Sequence, residues 1–110
     1  MADIYKLSEN HISKADRTKL ESFASHTIAH GRATRWHWVD GKHAESALEV
    51  FIGGAQEQLA VRICRDGKQD VFCVYDETRK LLTSGPLERV LTDLENHFVK
   101  LHGEDPNITG

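Results

Sequence analysis

The chain is short of cysteine, of proline, of long apolar runs and of any surplus of basic charge, and each shortage narrows what it can be. Two cysteines in 110 residues, Cys64 and Cys73, are too few for a disulfide framework or a four-thiolate zinc site. The two prolines, Pro86 and Pro106, fall outside the periodic segments, so no apolar stripe is broken by one. No apolar run approaches the ~20 residues that a membrane-spanning helix requires. Met1–Lys6 has neither a basic start nor an apolar stretch, so no secretory signal is expected. Against 17 Asp and Glu stand 14 Lys and Arg, a formal net charge of −3, which gives no global pull toward nucleic acid or an anionic membrane. A cytoplasmic location follows as the expectation.

What is there has ordinary globular proportions. Apolar residues make up 39% and charged residues 28% of the chain, enough for one core and unlike a disordered sequence. A length of ~100–150 residues is that of one typical domain. Residues 1–103 are expected to form it, with 104–110 a disordered polar tail containing Pro106.

The first helix is predicted from Ser13 to about His30. Ser13 and Asp16 resemble a capping box, Leu20, Phe23, Ala24, Thr27 and Ile28 form an apolar stripe, and Gly31 sits where a left-handed cap is wanted. Four strands follow, at 33–39, 47–52, 59–64 and 71–75. The last helix opens at Pro86, carries Leu87, Val90, Leu91, Leu94, Phe98 and Leu101 on one face, and is closed by Gly103. The expected fold is α+β, a two-layer arrangement in which both helices pack on one face of a four-stranded antiparallel meander. Leu20, Phe23, Ile28, Val61, Ile63, Leu91, Leu94 and Phe98 are the predicted core.

Asp66-Gly67 predicts a two-residue hairpin loop. In that register Leu59, Val61 and Ile63 share a face with Phe72 and Val74, and Ala60, Arg62 and Cys64 share the other with Val71, Cys73 and Tyr75; a three-residue loop would change this partition. The same register sets Cys64 and Cys73 ~13 Å apart, beyond disulfide reach. Both are then expected to be free thiols.

Chemistry-bearing groupings are sparse. His26 and His30 have the four-residue spacing that lets two imidazoles meet one ion, but no third ligand is in sight, and histidines in a last turn also suit the helix dipole. Neither a metal nor a cofactor is expected. Gly53-Gly54 lacks the Lys-Ser/Thr of a phosphate loop. No nucleophile, base and orienting group come together, so no catalytic residue is assigned and the reading leans away from an enzyme.

In Arg32–Trp38, aromatic and basic residues interleave as they do on single-strand stacking platforms. Alternation sends Trp36 and Trp38 one way and Arg35 and His37 the other. The helix–strands–helix order resembles that of a double-stranded-RNA-binding domain, yet the basic cluster expected at the last helix is replaced by Gly85-Pro86-Leu87-Glu88-Arg89. A nucleic-acid-binding domain using Arg32–Trp38 is therefore the alternative reading.

The favoured expectation is a small non-catalytic binding module for a protein partner or small apolar ligand, with a homodimer through the sheet face as its simplest form. Two helices cover one face of the sheet and leave the other semi-apolar. The candidate contact residues are Val71, Cys73 and Tyr75, joined by Trp36 and Trp38 if the first strand turns those outward.

Overall fold

A computed structural model describes residues 11–40 and 46–101. The chain runs α1 (Lys14–Ala29), β1 (Arg35–Asp40), β2 (Ser46–Ile52), a single 3-10 turn (Gly54–Gln56), β3 (Gln58–Asp66), β4 (Val71–Tyr75), β5 (Leu81–Gly85) and α2 (Leu87–Leu101). The strands form one antiparallel sheet in the order β1-β2-β3-β4-β5, and the fold is α+β. The predicted polar tail, Gly103, His43 and His102 lie outside the described residues.

Local chemistry accounts for the helix ends. The Ser13 hydroxyl accepts a hydrogen bond from the Asp16 amide at 3.2 Å, satisfying one of the donors that a first turn leaves without a partner. At the other end Gly31 takes a left-handed conformation (φ 74°) and the Arg32 amide donates back to the Thr27 carbonyl at 3.0 Å. For α2, the Val90 amide donates to the Pro86 carbonyl at 3.0 Å, so Pro86 stands immediately ahead of the first turn.

Both helices lie on one face of the sheet. Leu48, Val50, Val61, Ile63 and Val74 point toward them, and Leu20, Ala24, Val90, Leu94 and Phe98 meet them from the helices, all at 0–1% exposure. Each large side chain so buried contributes about 1.5–3 kcal/mol relative to exposure. Phe23 of α1 and Phe98 of α2 bring their ring centroids to 6.0 Å, joining the helices to each other. Of the predicted core, Leu20, Val61, Ile63, Leu94 and Phe98 are fully buried, while Phe23, Ile28 and Leu91 pack against its edge. Leu101 departs from its stripe and is 44% exposed.

Two expectations are corrected. The meander has five strands instead of four, because Leu81–Gly85 pairs with β4 as an added edge and is tied to α2 by the Thr83 hydroxyl, which donates to Asp93 Oδ2 at 2.7 Å. The β3–β4 loop is not Asp66-Gly67 alone. Asp66 stays in the ladder opposite Val71, and the turn comprises residues 67–70. The reason is local: the Asp66 carboxylate accepts from the Lys68 amide at 3.0 Å, and Asp70 supplies the left-handed residue (φ 55°) that closes the turn. Lengthening the loop by two residues preserves which side chains share a face and slides the strands along one another. Cys64 consequently stands directly opposite Cys73, and the ~13 Å separation expected from a two-residue loop does not occur.

Candidate functional site

The sheet face turned away from the helices carries side chains in cross-strand rows, because the antiparallel register sets residues of neighbouring strands directly opposite one another. One row runs His37, Glu49, Arg62, Tyr75 and Leu81 across the five strands. The adjacent row runs Val39, Ala47, Cys64, Cys73 and Ser84, and all its members are small or apolar. The side chains of this second row are shorter than those of the first.

The polar end of the face is a connected ion network. Arg35 grips Glu57 in a two-pronged contact, with Nη2 to Oε1 at 2.6 Å and Nε to Oε2 at 3.0 Å. Its Nη1 reaches His37 Nδ1 at 2.8 Å, and His37 Nε2 reaches Glu49 Oε1 at 2.7 Å. Arg62 donates from both Nε, at 2.9 Å, and Nη2 to the other oxygen of Glu49. A guanidinium has no lone pair to offer, so His37 Nδ1 is the acceptor and Nε2 carries the proton donated to Glu49. Both ring nitrogens of His37 are thus engaged within the network.

Glu49 is only 7% exposed although no described helix or strand covers it. The flanking Arg62 and His37 side chains lie over it and shield it. Burial pushes its carboxyl up, but the hydrogen bonds from His37 and Arg62, with the Arg62 charge, outweigh that effect and hold it below its ordinary value. Glu57 is lowered chiefly by its bonds to Arg35. The guanidinium of Arg35 also lies 4.2 Å from the Phe51 ring centroid. Formally the two arginines and two glutamates of the network cancel.

Beside the network lies a shallow hollow of about 560 Å³ on the same face, bordered by Leu59, Arg62, Cys64, Tyr75, Asp76 and Arg79. Burial, then the charge of a neighbouring Cys73 thiol, pushes the Cys64 thiol up to about 11. The Tyr75 phenol is raised in the same way, by burial and then by the adjacent thiols. Neither group is thereby activated as a nucleophile.

Of the candidate contact residues, Val71, Cys73 and Tyr75 come together on the helix-free face, and Trp36 and Trp38 do not join them. Both tryptophans sit on the helix side, packed against the core. The Trp38 indole donates to Glu21 Oε2 at 2.6 Å, and the Arg17 guanidinium lies 4.4 Å from its ring centroid. The rings of His26 and His30 are 4.2 Å apart, and among the described residues no group of three or more His, Cys, Asp or Glu side chains is placed to hold a metal ion.

The network itself escaped the sequence reading. Its signal was there in Glu49, an acid set between Leu48 and Val50 in an otherwise apolar run, which calls for a partner on an alternating strand. Among the described residues no helix is long and apolar enough to cross a membrane. Comparison with known protein families, with curated proteins and with solved structures finds no match to this chain.

Proposed function

We propose that this domain is a non-catalytic binding module, that its helix-free sheet face is the contact surface, and that a second copy of the chain is the occupant of that face. The carrying observation is the asymmetry of the sheet: α1 and α2 both pack on one side, and the other presents the Val39–Ala47–Cys64–Cys73 row uncovered by any described element. Val39, in that row, is 42% exposed. Leu81, at the other edge of the same face, is 50% exposed, and exposed apolar side chains on a face without a covering layer mark contact surfaces.

Charge favours self-association. A two-fold contact brings each face against its own copy, so a face of one sign would repel itself. Here Arg35 and Arg62 are matched by Glu57 and Glu49 within the face, and the network can meet its copy without net repulsion. A cytoplasmic location is part of the proposal, in keeping with a chain that has only two cysteines. The nucleic-acid reading of Arg32–Trp38 is not favoured, since Arg35 already holds Glu57 and the tryptophans sit on the opposite side of the sheet from Arg35 and His37.

Sedimentation over a concentration series tests the proposal, with Val39→Glu as the comparison because an exposed edge position tolerates the change. The native chain is expected to shift from monomer toward dimer as concentration rises, and the variant to remain monomeric. A native chain that stays monomeric throughout, or a variant that dimerises equally well, would overturn it.

A further inference from the structure

We infer that Cys64 and Cys73 form a reversible dithiol–disulfide pair across β3 and β4, oxidised by a low-molecular-weight disulfide of the glutathione class. This does not rest on the dimer reading. It follows from the observed register, in which the two residues are direct antiparallel partners on the helix-free face although nine positions apart in the chain. Directly opposed residues hold their Cα atoms ~4.5–5.5 Å apart, inside the ~4.4–6.8 Å range of disulfides. Their Cβ atoms, at ~4.5–5.5 Å, meet the disulfide range at its upper edge of ~4.5 Å. The Cys64 thiol already lies over the partner strand, donating to the Cys73 carbonyl at 3.8 Å.

Exposure assigns an order to the two thiols. Cys64 borders the 560 Å³ hollow and is half-buried, whereas Cys73 is 8% exposed. The Cys64 thiolate attacks one sulfur of the small disulfide, forming a mixed disulfide and releasing one thiol. Cys73, deprotonated in turn, attacks the Cys64 sulfur and releases the second thiol. Overall the two cysteines lose two electrons and two protons, and the small disulfide gains both. The bond joins β3 to β4 in the middle of that row and beside the hollow that Cys64 borders, so oxidation changes the surface offered by this face.

The fold also sets the equilibrium. In the unfolded chain, closing a loop of this length carries an entropic cost that the folded hairpin has already met. The chain-entropy relation puts the preference of folded over unfolded chain for the disulfide on the order of 100-fold. Full-length chain is equilibrated in glutathione buffers of graded ratio, folded and in denaturant, then quenched in acid, alkylated and weighed intact. The expected product in the folded chain is a single species lacking two hydrogens, with Cys64 and Cys73 linked in the peptide map, at ratios that leave the unfolded chain mostly reduced. Cys73→Ser should stop at a glutathione adduct on Cys64. A folded chain that collects only glutathione adducts, or that is no easier to oxidise than the unfolded chain, would overturn the inference.

Discussion

The indole of Trp38 and the carboxylate of Glu21 are joined by a hydrogen bond of 2.6 Å that ties β1 to α1. This contact faces Trp38 toward the helices, and its partner across the register, Leu48, is fully buried. Replacing Glu21 by Ala should cost about 1 kcal/mol: a charged acceptor is lost, but water can reach the half-exposed indole and take its place. Urea denaturation measures the loss, and a red-shifted tryptophan emission in the native baseline should accompany it.

Leu94 stands at 1% exposure in the interface between α2 and the sheet. Leu94→Ala should destabilise the domain by about 2–5 kcal/mol, because the surrounding β-sheet and α1 cannot collapse fully into the space left. The check is a lower urea midpoint at unchanged denaturant dependence. An unaltered midpoint would mean that the stripe on α2 does not face the core.

Glu49 should contribute an acid-sensitive part of the stability. Its carboxyl is lowered in the folded state, so the stabilisation is present above the unfolded pKa and is lost as pH falls through the lower folded one. The window opens below about pH 5. Glu57 and Asp76 shift in the same direction, so the acid limb is collective and the measurement must compare two chains. Glu49→Gln should cost about 1–3 kcal/mol near neutrality, leaving Arg62 and His37 short of an anionic acceptor. Its stability should then fall less steeply than that of the native chain between about pH 5 and pH 3. Parallel slopes would contradict the role given to the network.

Alkylation of Cys64 should be slow at neutral pH and accelerate about tenfold per pH unit up to roughly pH 11, since the thiolate is the reactive form. The charged and titratable groups around it are Arg62 and Asp66 on its own strand, Cys73 and Tyr75 on β4, and Asp76, Glu77 and Arg79 across the hollow. Arg62 lowers its pKa, but burial and Cys73 outweigh it. Stopped-time labelling of the folded, fully reduced native chain with iodoacetamide, with the Cys64 peptide followed by mass, gives the profile. A plateau near pH 8 would show that the thiol is not raised.

Much of the fold was legible in the chain. The stripe Leu87, Val90, Leu94, Phe98 declares a helix with one buried face, and the structure bears it out. Ser13 and Gly31 mark the limits of α1 through their own hydrogen-bonding and backbone preferences. Alternation divided β4 and most of β3 correctly, with Val61, Ile63, Phe72 and Val74 inward and Arg62, Cys64, Cys73 and Tyr75 outward; it failed at Leu59 and Ala60, where a β-bulge sends Ala60 into the core and leaves Leu59 bordering the hollow. That division has a period of two and survives any even change in loop length.

Register, pairing and the polar network belong to the tertiary structure. Asp66-Gly67 suits a two-residue turn in isolation, but the Asp66 carboxylate bonds to the Lys68 amide and the observed turn has four residues, so Cys64 meets Cys73. Leu81–Gly85 shows no alternation of its own and becomes a strand only because β4 offers it a ladder and Asp93 of α2 holds Thr83. Glu49 is a lone acid in a strand until β1 and β3 set His37 and Arg62 beside it. Propensity and periodicity act over a few neighbouring residues and determine what each segment is. Which distant side chains become partners depends on the alignment of whole strands, and that is decided by packing and loop geometry acting together.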